Sequence, residues 1–293
     1  MNNKNTVFVL FLSLFFAFSS IAQKKDVAVQ LYSVRSILGG DAGSSQFTDV
    51  LQKLSKMGYT QVEAAGYDNG KFYGVTPTEF KSIVESKGLK ALSSHVGRSL
   101  SAKEIESGDF SESLAWWDEA IAAHKAAGMS YIVTPWISLS KTVAELDAYC
   151  RYMDEIGKRA KAQGLSYGYH NHAHEFEKVE GKEVMLDYIL NHTNPEYVFI
   201  ELDVYWTVIG KASPVDYFHK YPGRFPLLHI KDEREIGQSG MVGFDAIFNN
   251  AKAAGLKHFI IEVERYSDSV EQSMKESIDY IKRAKFVKSN YSK

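Results

Sequence analysis

Apolar and polar positions follow two alternating periods along the chain from about residue 25 onward. Short apolar runs, typical of buried strands, are each followed by a longer segment with apolar residues three or four positions apart, typical of a helix. The segment 47–57, for example, has apolar residues at 47, 50, 51, 54 and 57. Glycine directly follows five of the predicted helices, where a helix C-terminus favours the left-handed backbone. These glycines are Gly58, Gly88, Gly128, Gly164 and Gly255.

The pattern predicts eight strands and eight helices in strict alternation. The predicted strands begin near residues 27, 59, 89, 129, 165, 197, 225 and 257. The predicted helices span residues 47–57, 77–87, 111–127, 143–163, 183–191, 214–220, 244–254 and 270–287. This alternation indicates an α/β protein built as a single (β/α)8 TIM barrel. A doubly wound open sheet is the alternative, but no Gly-x-Gly-x-x-Gly motif follows the first predicted strand.

The first 22 residues have the composition of a secretory signal peptide. Lys4 precedes an apolar run over residues 7–18, and Ser20-Ile21-Ala22 matches a small-residue cleavage site. An uncleaved N-terminal anchor is the alternative. We therefore expect an exported protein, periplasmic or secreted, with a signal peptide over residues 1–22 and one catalytic domain over residues 23–293. No membrane attachment is expected after cleavage.

Charge and cysteine content exclude several functional classes. The formal net charge is −2, so the chain lacks the basic character that nucleic-acid binding requires. The single cysteine, Cys150, excludes an internal disulfide, and it falls in a helical pattern as a small packing residue.

Four polar residues lie at the ends of four successive predicted strands: His170, Asp203, His229 and Glu262. They are separated by 33, 26 and 33 positions, about one strand–helix unit of roughly 30 residues each. In a parallel barrel such residues converge at the C-terminal mouth, where active sites lie. Two imidazoles and two carboxylates predict a mixed nitrogen and oxygen site for a divalent metal. The alternative is a buried network in which His170, Glu201, Asp203 and His229 only satisfy one another.

Several of these segments resemble the xylose-isomerase-like barrel superfamily, and more narrowly the sugar phosphate isomerase/epimerase group. The resemblance covers the chain from about Lys25 to Lys285. Its motifs are Gln30-Leu31-Tyr32-Ser33-Val34-Arg35, Tyr169-His170-Asn171-His172 with Glu175-Phe176, Glu201-Leu202-Asp203-Val204-Tyr205-Trp206, and His229-Ile230-Lys231-Asp232.

The resemblance implies a cation, Mn²⁺, Co²⁺ or Mg²⁺ with Zn²⁺ as a further candidate, held by residues of strands five to eight. By position these residues are His170, Asp203, His229 and Glu262. His170 departs from the pattern because the family usually has Glu on strand five, and this substitution removes one negative charge and one candidate base. His172 is the second ligand candidate on that strand.

The implied chemistry is abstraction of a proton next to a carbonyl group, with the metal stabilising the enediolate. Glu262 is the first candidate base, and Lys231 and His95 are the alternatives. A salt bridge to Asp232 or Glu262 is an equally good interpretation of Lys231.

Five further residues are candidates for substrate binding: Glu63, His172, Trp136, Trp206 and Arg35. Glu63 could instead orient His95, the tryptophans could pack at the barrel rim, and Arg35 could form a surface salt bridge.

The export signal and the lack of a phosphate-binding loop favour a non-phosphorylated sugar or keto-glycoside as the small-molecule substrate. Isomerisation or epimerisation is the first interpretation. The alternative is a lyase or dehydratase that cleaves 3-keto-glycosides by β-elimination through the same enediolate. A non-catalytic sugar-binding protein is disfavoured by the four-residue cluster, and a metal-dependent nuclease by the charge. Barrels of this kind often pair, so a homodimer is a candidate assembly.

Overall fold

The computed structural model describes residues 25–291, which form a barrel of eight parallel strands. The strands are β1 (Ala28–Gln30), β2 (Gln61–Ala64), β3 (Lys90–Ser94), β4 (Tyr131–Thr134), β5 (Ser166–His170), β6 (Val198–Asp203), β7 (Leu227–Ile230) and β8 (His258–Ile261). Each pairs with its neighbours in chain order, and β8 pairs with β1. A parallel bridge between His95 and Val133 joins β3 to β4 and closes the ring. The predicted fold class is therefore confirmed.

A helix follows each strand and packs on the outside of the barrel. The eight helices are α1 (Ser45–Met57), α2 (Pro77–Ser86), α3 (Ser111–Ala126), α4 (Val143–Ala162), α5 (Met185–His192), α6 (Pro214–Lys220), α7 (Phe244–Asn249) and α8 (Val270–Arg283). Shorter helical segments span Leu31–Val34, Arg35–Leu38, Ala102–Ser107, His174–Phe176, Val204–Ile209 and Ala251–Ala254. Two small hairpins pair Tyr67–Asp68 with Lys71–Phe72 and Lys178–Val179 with Glu183–Val184. The five predicted glycines have positive φ at the helix ends, as expected.

The predicted and observed bounds differ most in the sixth strand, which was predicted to reach residue 206, and in three helices. The last helix ends at Arg283 and not at residue 287. The sixth strand ends at Asp203, because the Asp203 carboxylate accepts a hydrogen bond from the Trp206 backbone N–H and starts the short helix Val204–Ile209. The predicted helix 244–254 is interrupted at Asn250, whose side-chain amide donates to the carbonyl of Ala246. The predicted helix 183–191 begins only at Met185, because the two residues before it pair in a hairpin.

The barrel interior changes from apolar to ionisable along the strand direction. Its lower part is a small cluster that includes Tyr131, Phe199, Leu227 and Ile260. Side chains two apart on a strand share a face, so Glu201 and Asp203 lie above Phe199, and His229 and Lys231 above Leu227. On β8, Glu262 and Glu264 follow Ile260 in the same way. The helices cover the outside of the barrel with a second and larger apolar core.

No helix within residues 25–291 is both long enough and apolar enough to cross a membrane. The predicted signal peptide, residues 1–22, lies outside the described residues.

Candidate active site

An open cavity of ≈ 320 Å³ lies at the C-terminal ends of the strands. It is lined by Tyr32, Ala65, His95, Pro135, Trp136, His170, His172, Glu262 and Glu264. No lysine or arginine is among these lining residues. A larger cavity of ≈ 500 Å³ lies on the opposite side, around the loop that enters β8, and its lining contains three lysines but no histidine or carboxylate. Of these two cavities, the one at the C-terminal ends has the histidines and carboxylates suited to acid–base chemistry.

The four predicted metal ligands converge at the floor of this cavity. His170, Asp203, His229 and Glu262 each offer one ligand atom, and these atoms all lie within 4.8 Å of one another. All four side chains are buried. The register of the parallel strands produces this arrangement, because Asp203 on β6 lies directly beside His229 on β7. Successive strands thus bring residues that are 26 to 33 positions apart into one cluster.

The cluster fits a divalent cation. Asp203 Oδ1 accepts the Trp206 N–H at 2.8 Å, whereas the buried Oδ2 has no hydrogen-bond partner among the described residues. A buried carboxylate oxygen without a partner is costly, and burial raises the pKa of Asp203 to about 7. Imidazole and carboxylate together suit Mn²⁺, Co²⁺ or Zn²⁺ better than Mg²⁺, which prefers oxygen ligands.

A second layer of side chains lies next to these four residues and shares His229 with them. Two imidazole nitrogens and two carboxylate oxygens alternate around a small ring made by His95, Glu63, His229 and Glu201. His95 Nε2 is 3.1 Å from Glu63 Oε1 and 2.8 Å from Glu201 Oε2. His229 Nε2 is 2.7 Å from the same Glu63 oxygen and 3.2 Å from the same Glu201 oxygen. The ring joins strands β2, β3, β6 and β7 in the barrel interior.

Glu63 is fixed in this ring from both sides. The Gln30 side-chain amide donates to Glu63 Oε1 at 2.9 Å, and the Ser93 hydroxyl donates to Oε2 at 2.6 Å. Glu63 is fully buried. It therefore does not reach the cavity wall, and its predicted role in substrate binding does not fit its position. The alternative prediction, that Glu63 orients His95, agrees with the geometry, and the contact to His229 extends it.

The pKa shifts of the ring residues reflect both burial and the neighbouring carboxylates. Burial and the nearby Glu201 raise the pKa of Glu63. Burial alone would lower the pKa of His229, but the carboxylates of Glu201 and Glu63 outweigh it and raise that pKa well above its usual value. The pKa of His95 is also raised, because the same two carboxylates outweigh its burial. The carboxylates therefore favour positive charge at His95 and His229, whereas burial and the neighbouring His229 lower the pKa of His170 well below its usual value.

Glu262, one of the four predicted ligands, forms an ion pair with Lys231. Lys231 Nζ is 3.0 Å from Glu262 Oε2 and 2.6 Å from Glu264 Oε1, and it lies over the Trp206 ring. Burial would raise the pKa of Glu262, but Lys231 and His229 hold it well below its usual value. The carboxylates in turn outweigh burial and raise the pKa of Lys231. Glu262 is thus a carboxylate and Lys231 an ammonium, which makes Lys231 unsuited to act as a base.

The other predicted site residues divide into two groups. His95, His172 and Trp136 line the cavity. Trp136 is 51% exposed and packs on the rings of His172 and His174. Arg35 and Trp206 are not among the lining residues. The Arg35 guanidinium stacks on the Tyr32 ring and donates to the Tyr32 carbonyl, so it supports the rim of the cavity from outside.

The pKa of His172 is lowered, whereas the pKa values of His95 and His229 are raised. Burial, together with the nearby Lys231, lowers the pKa of His172 to about 3, so its ring is neutral at neutral pH. Its buried Nδ1 has no hydrogen-bond partner among the described residues. The backbone N–H of His172 donates to Glu175 Oε2 at 2.8 Å, and Tyr169 donates its hydroxyl proton to the other Glu175 oxygen. Glu175 therefore holds the segment that carries His172 in place.

The sequence analysis gave Glu264 and Glu175 no role, and it named Glu201 only as a member of the alternative buried network. For Glu201 the signal was present, because it precedes Asp203 by two positions and shares its face. For Glu264 the same two-residue spacing from Glu262 was the signal. The contact of Glu63 with His229 had no local signal, because the two residues are 166 positions apart.

Comparison with known proteins identifies the family. The model of the xylose isomerase-like TIM barrel family matches residues 51–284. A sugar phosphate isomerase/epimerase from Parabacteroides distasonis is 33% identical over 90% of this chain and 100% of its own, with a TM-score of 0.81. A second protein of that description and organism is 31% identical over 94% of this chain and 100% of its own, with a TM-score of 0.82. No curated protein sequence matches significantly.

A more distant structure has the same fold. The D-allulose 3-epimerase from Methylomonas sp. in complex with D-allulose is 14% identical over 89% of this chain and 97% of its own, with a TM-score of 0.69. The chain belongs to the xylose isomerase-like TIM barrel family, a fold of sugar isomerases and epimerases.

Proposed function

We propose that the protein is a divalent-metal-dependent enzyme that abstracts a proton next to the carbonyl of a non-phosphorylated sugar or keto-glycoside. The observation that carries the proposal is Asp203 Oδ2, a buried oxygen without a partner among the described residues that lies among three other metal-ligating groups. A cation held by His170, Asp203, His229 and Glu262 would remove this cost. Such a cation would supply Lewis-acid stabilisation of negative charge that develops on substrate oxygens.

The side chains around the cavity provide the groups for proton transfer. Glu262 lines the cavity and is kept ionised by Lys231, so it is our candidate for the base that takes the proton. His95 lines another part of the wall, and its raised pKa favours the charged ring. His95 can therefore donate a proton or a hydrogen bond to a substrate oxygen. The neutral ring of His172 is suited to bind a hydroxyl group.

The charges of the cavity support a substrate without phosphate. Glu262 and Glu264 line it, and no lysine or arginine does. A phosphate group there would meet two carboxylates, and the nearby Lys231 is already paired with both of them. Trp136 exposes half of its surface at the rim and offers an apolar face for a sugar ring. The periplasm or the exterior is the location we propose, and it agrees with this substrate class because phosphorylated sugars are cytoplasmic metabolites.

The test is proton NMR in D₂O with the protein reconstituted with Mn²⁺, Co²⁺, Mg²⁺ or Zn²⁺ and a panel of free sugars and 3-keto-glycosides. Deuterium at a carbon next to the carbonyl supports isomerase or epimerase chemistry, and release of the aglycone supports β-elimination. Both signals should disappear in chelator and in Asp203→Asn. The matched control is Asp187→Asn on the outer surface, where the carboxylate pairs with Lys220. If no carbonyl sugar exchanges or eliminates, the proposal is wrong.

A further inference from the structure

We infer that Glu201 is a positioning residue for the metal site, which fixes the ring orientation of His170 and supplies negative charge through that ring. The inference rests on the proposed cation. Glu201 precedes Asp203 by two positions on β6, so the same strand presents one carboxylate to the cation and a second one a layer deeper. Glu201 is fully buried and is not among the residues that line the cavity, so it does not reach a substrate there. With His95, His170 and His229 it also forms a second candidate ligand set, and the experiment below separates that role from positioning.

Three imidazole nitrogens surround a single oxygen of Glu201. Its Oε2 is 2.8 Å from His95 Nε2, 3.2 Å from His229 Nε2 and 3.3 Å from His170 Nδ1. The His170 contact is an ion-pair distance without good hydrogen-bond alignment, and Nδ1 has no other partner among the described residues. Because Nδ1 lies beside Glu201, we assign the remaining nitrogen of His170, Nε2, to the cation.

His229 is held in the opposite orientation. Its Nε2 contacts Glu63 Oε1 at 2.7 Å, and its Nδ1 is 3.3 Å from Glu262 Oε2 in the upper layer. A histidine that binds metal through one nitrogen usually donates its other N–H to a carboxylate, which fixes the ring and makes it a stronger ligand. Because Glu201 contacts one nitrogen of His170 and Glu63 contacts one nitrogen of His229, a different atom of each ring is left to bind the cation. This atom is Nε2 in His170 and Nδ1 in His229.

The same geometry makes Glu201 part of the charge balance of the cation. A neutral imidazole brings no charge to a metal, but a buried carboxylate in contact with its far side polarises it toward the imidazolate. His170 and Glu201 therefore act as a unit that presents negative charge from strand β5. A carboxylate placed at position 170 would do so directly, but it would then lie against Glu201, and two buried carboxylates in contact repel each other.

The test compares the cation affinity of four proteins: the wild type, Glu201→Gln, His170→Glu, and the double variant His170→Glu/Glu201→Gln. Affinities for Zn²⁺ and Co²⁺ are measured by competition with a chromophoric chelator. We expect one bound cation in the wild type and binding about 10- to 100-fold weaker in Glu201→Gln. His170→Glu should also bind weakly. The double variant should recover to within about tenfold of the wild type, because positions 170 and 201 together again hold a single carboxylate. The matched control is Glu104→Gln, a buried carboxylate held by Ser101 and Ser113, which should bind like the wild type.

A second measurement is independent of whether the variants fold. Long-range ¹H–¹⁵N correlation spectra of the Zn²⁺-loaded wild type report which nitrogen of each histidine carries the proton. We expect the proton of His170 on Nδ1 and the proton of His229 on Nε2.

The inference is overturned if Glu201→Gln binds the cation as tightly as the wild type, if the double variant is no better than His170→Glu, or if either tautomer is reversed. A second equivalent of tightly bound Zn²⁺ that is lost in Glu201→Gln would also overturn it, because Glu201 would then be a ligand itself. These outcomes are distinct from failure of the proposed function. A wild type that binds no cation removes both proposals, whereas bound cation without sugar exchange removes only the proposed reaction.

Discussion

The unpartnered carboxylate oxygen of Asp203 leads to a quantitative prediction for the stability of the metal-free protein. In the folded protein, burial raises the pKa of Asp203 from 3.8 to about 7. Because the pKa is higher in the folded state than in the unfolded state, the folded protein binds this proton more tightly. The stabilisation from the bound proton is fully present below pH 4 and is lost progressively as the pH rises to about 7. At higher pH the folded protein carries a buried charge that the unfolded chain would hold in water.

The change Asp203→Asn removes this titration with little change of shape. The side-chain oxygen of the introduced asparagine can still accept the Trp206 N–H, at a helix N-cap position where Asn is as favourable as Asp. The pKa gap of about three pH units corresponds to about 4 kcal/mol, since each unit is worth about 1.4 kcal/mol. The unfolding free energy of the wild type relative to the variant should therefore fall by about 4 kcal/mol between pH 4 and pH 8.

The assay is urea unfolding followed by tryptophan fluorescence, with metal-stripped proteins at one-unit intervals from pH 4 to pH 8. Asp187→Asn, at the ion pair with Lys220 outside the cavity, is the control for a carboxylate-to-amide change. Adding a divalent cation at pH 8 should stabilise the wild type but not Asp203→Asn, because only the wild type can use the binding energy. A difference between the two proteins that stays constant with pH would refute the reasoning.

Three further changes test other parts of the structure. Lys231→Met leaves Glu262 buried without its ammonium partner. The unfolding free energy in chelator, measured by urea unfolding, should therefore fall by about 3–5 kcal/mol. Adding the divalent cation should restore part of this loss. Trp136→Ala removes an exposed ring at the cavity rim. We expect the KM for a carbonyl sugar to rise about two- to tenfold, with unchanged thermal stability. An unchanged KM would exclude stacking of the sugar on this ring. A Cβ at Gly157 on α4 would overlap the carbonyl oxygen of Tyr197 in the loop before β6. Gly157→Ala should therefore lower the unfolding free energy by about 1–3 kcal/mol, as measured by thermal unfolding. A variant as stable as the wild type would contradict this close approach of α4 and the loop.

Most of the fold could be predicted because its signals are local. Apolar periodicity and terminal glycines depend on residues a few positions apart, and helix α6 was predicted with its observed bounds, Pro214–Lys220. The errors also have local physical causes. At Asp203 a capping hydrogen bond ends the strand, although the apolar run Val204-Tyr205-Trp206 predicts that it continues. At Asn250 a side-chain amide competes with the helix backbone.

The residue types of the candidate site could be predicted from the sequence, but the depth of each side chain in the barrel could not. The alternation of side chains along a strand shows that Glu201 and Asp203 face the same side. It does not show that Glu201 lies a layer below the cavity, or that Trp206 and Arg35 lie outside it. Those positions depend on how the strands are staggered when the barrel closes, as in the bridge between His95 and Val133.

By itself, the sequence determined that eight strand–helix units would form a barrel and that imidazoles and carboxylates would gather at one end, because each unit carries its own period, its own stop signal and its own polar strand terminus. Only the tertiary structure decided which of these groups touch. It placed Glu63 against His229 and Glu201 against His170, and it paired Lys231 with both Glu262 and Glu264. The physical reason is that contacts across a closed barrel depend on strand register and stagger, and no local pattern in the chain encodes either one.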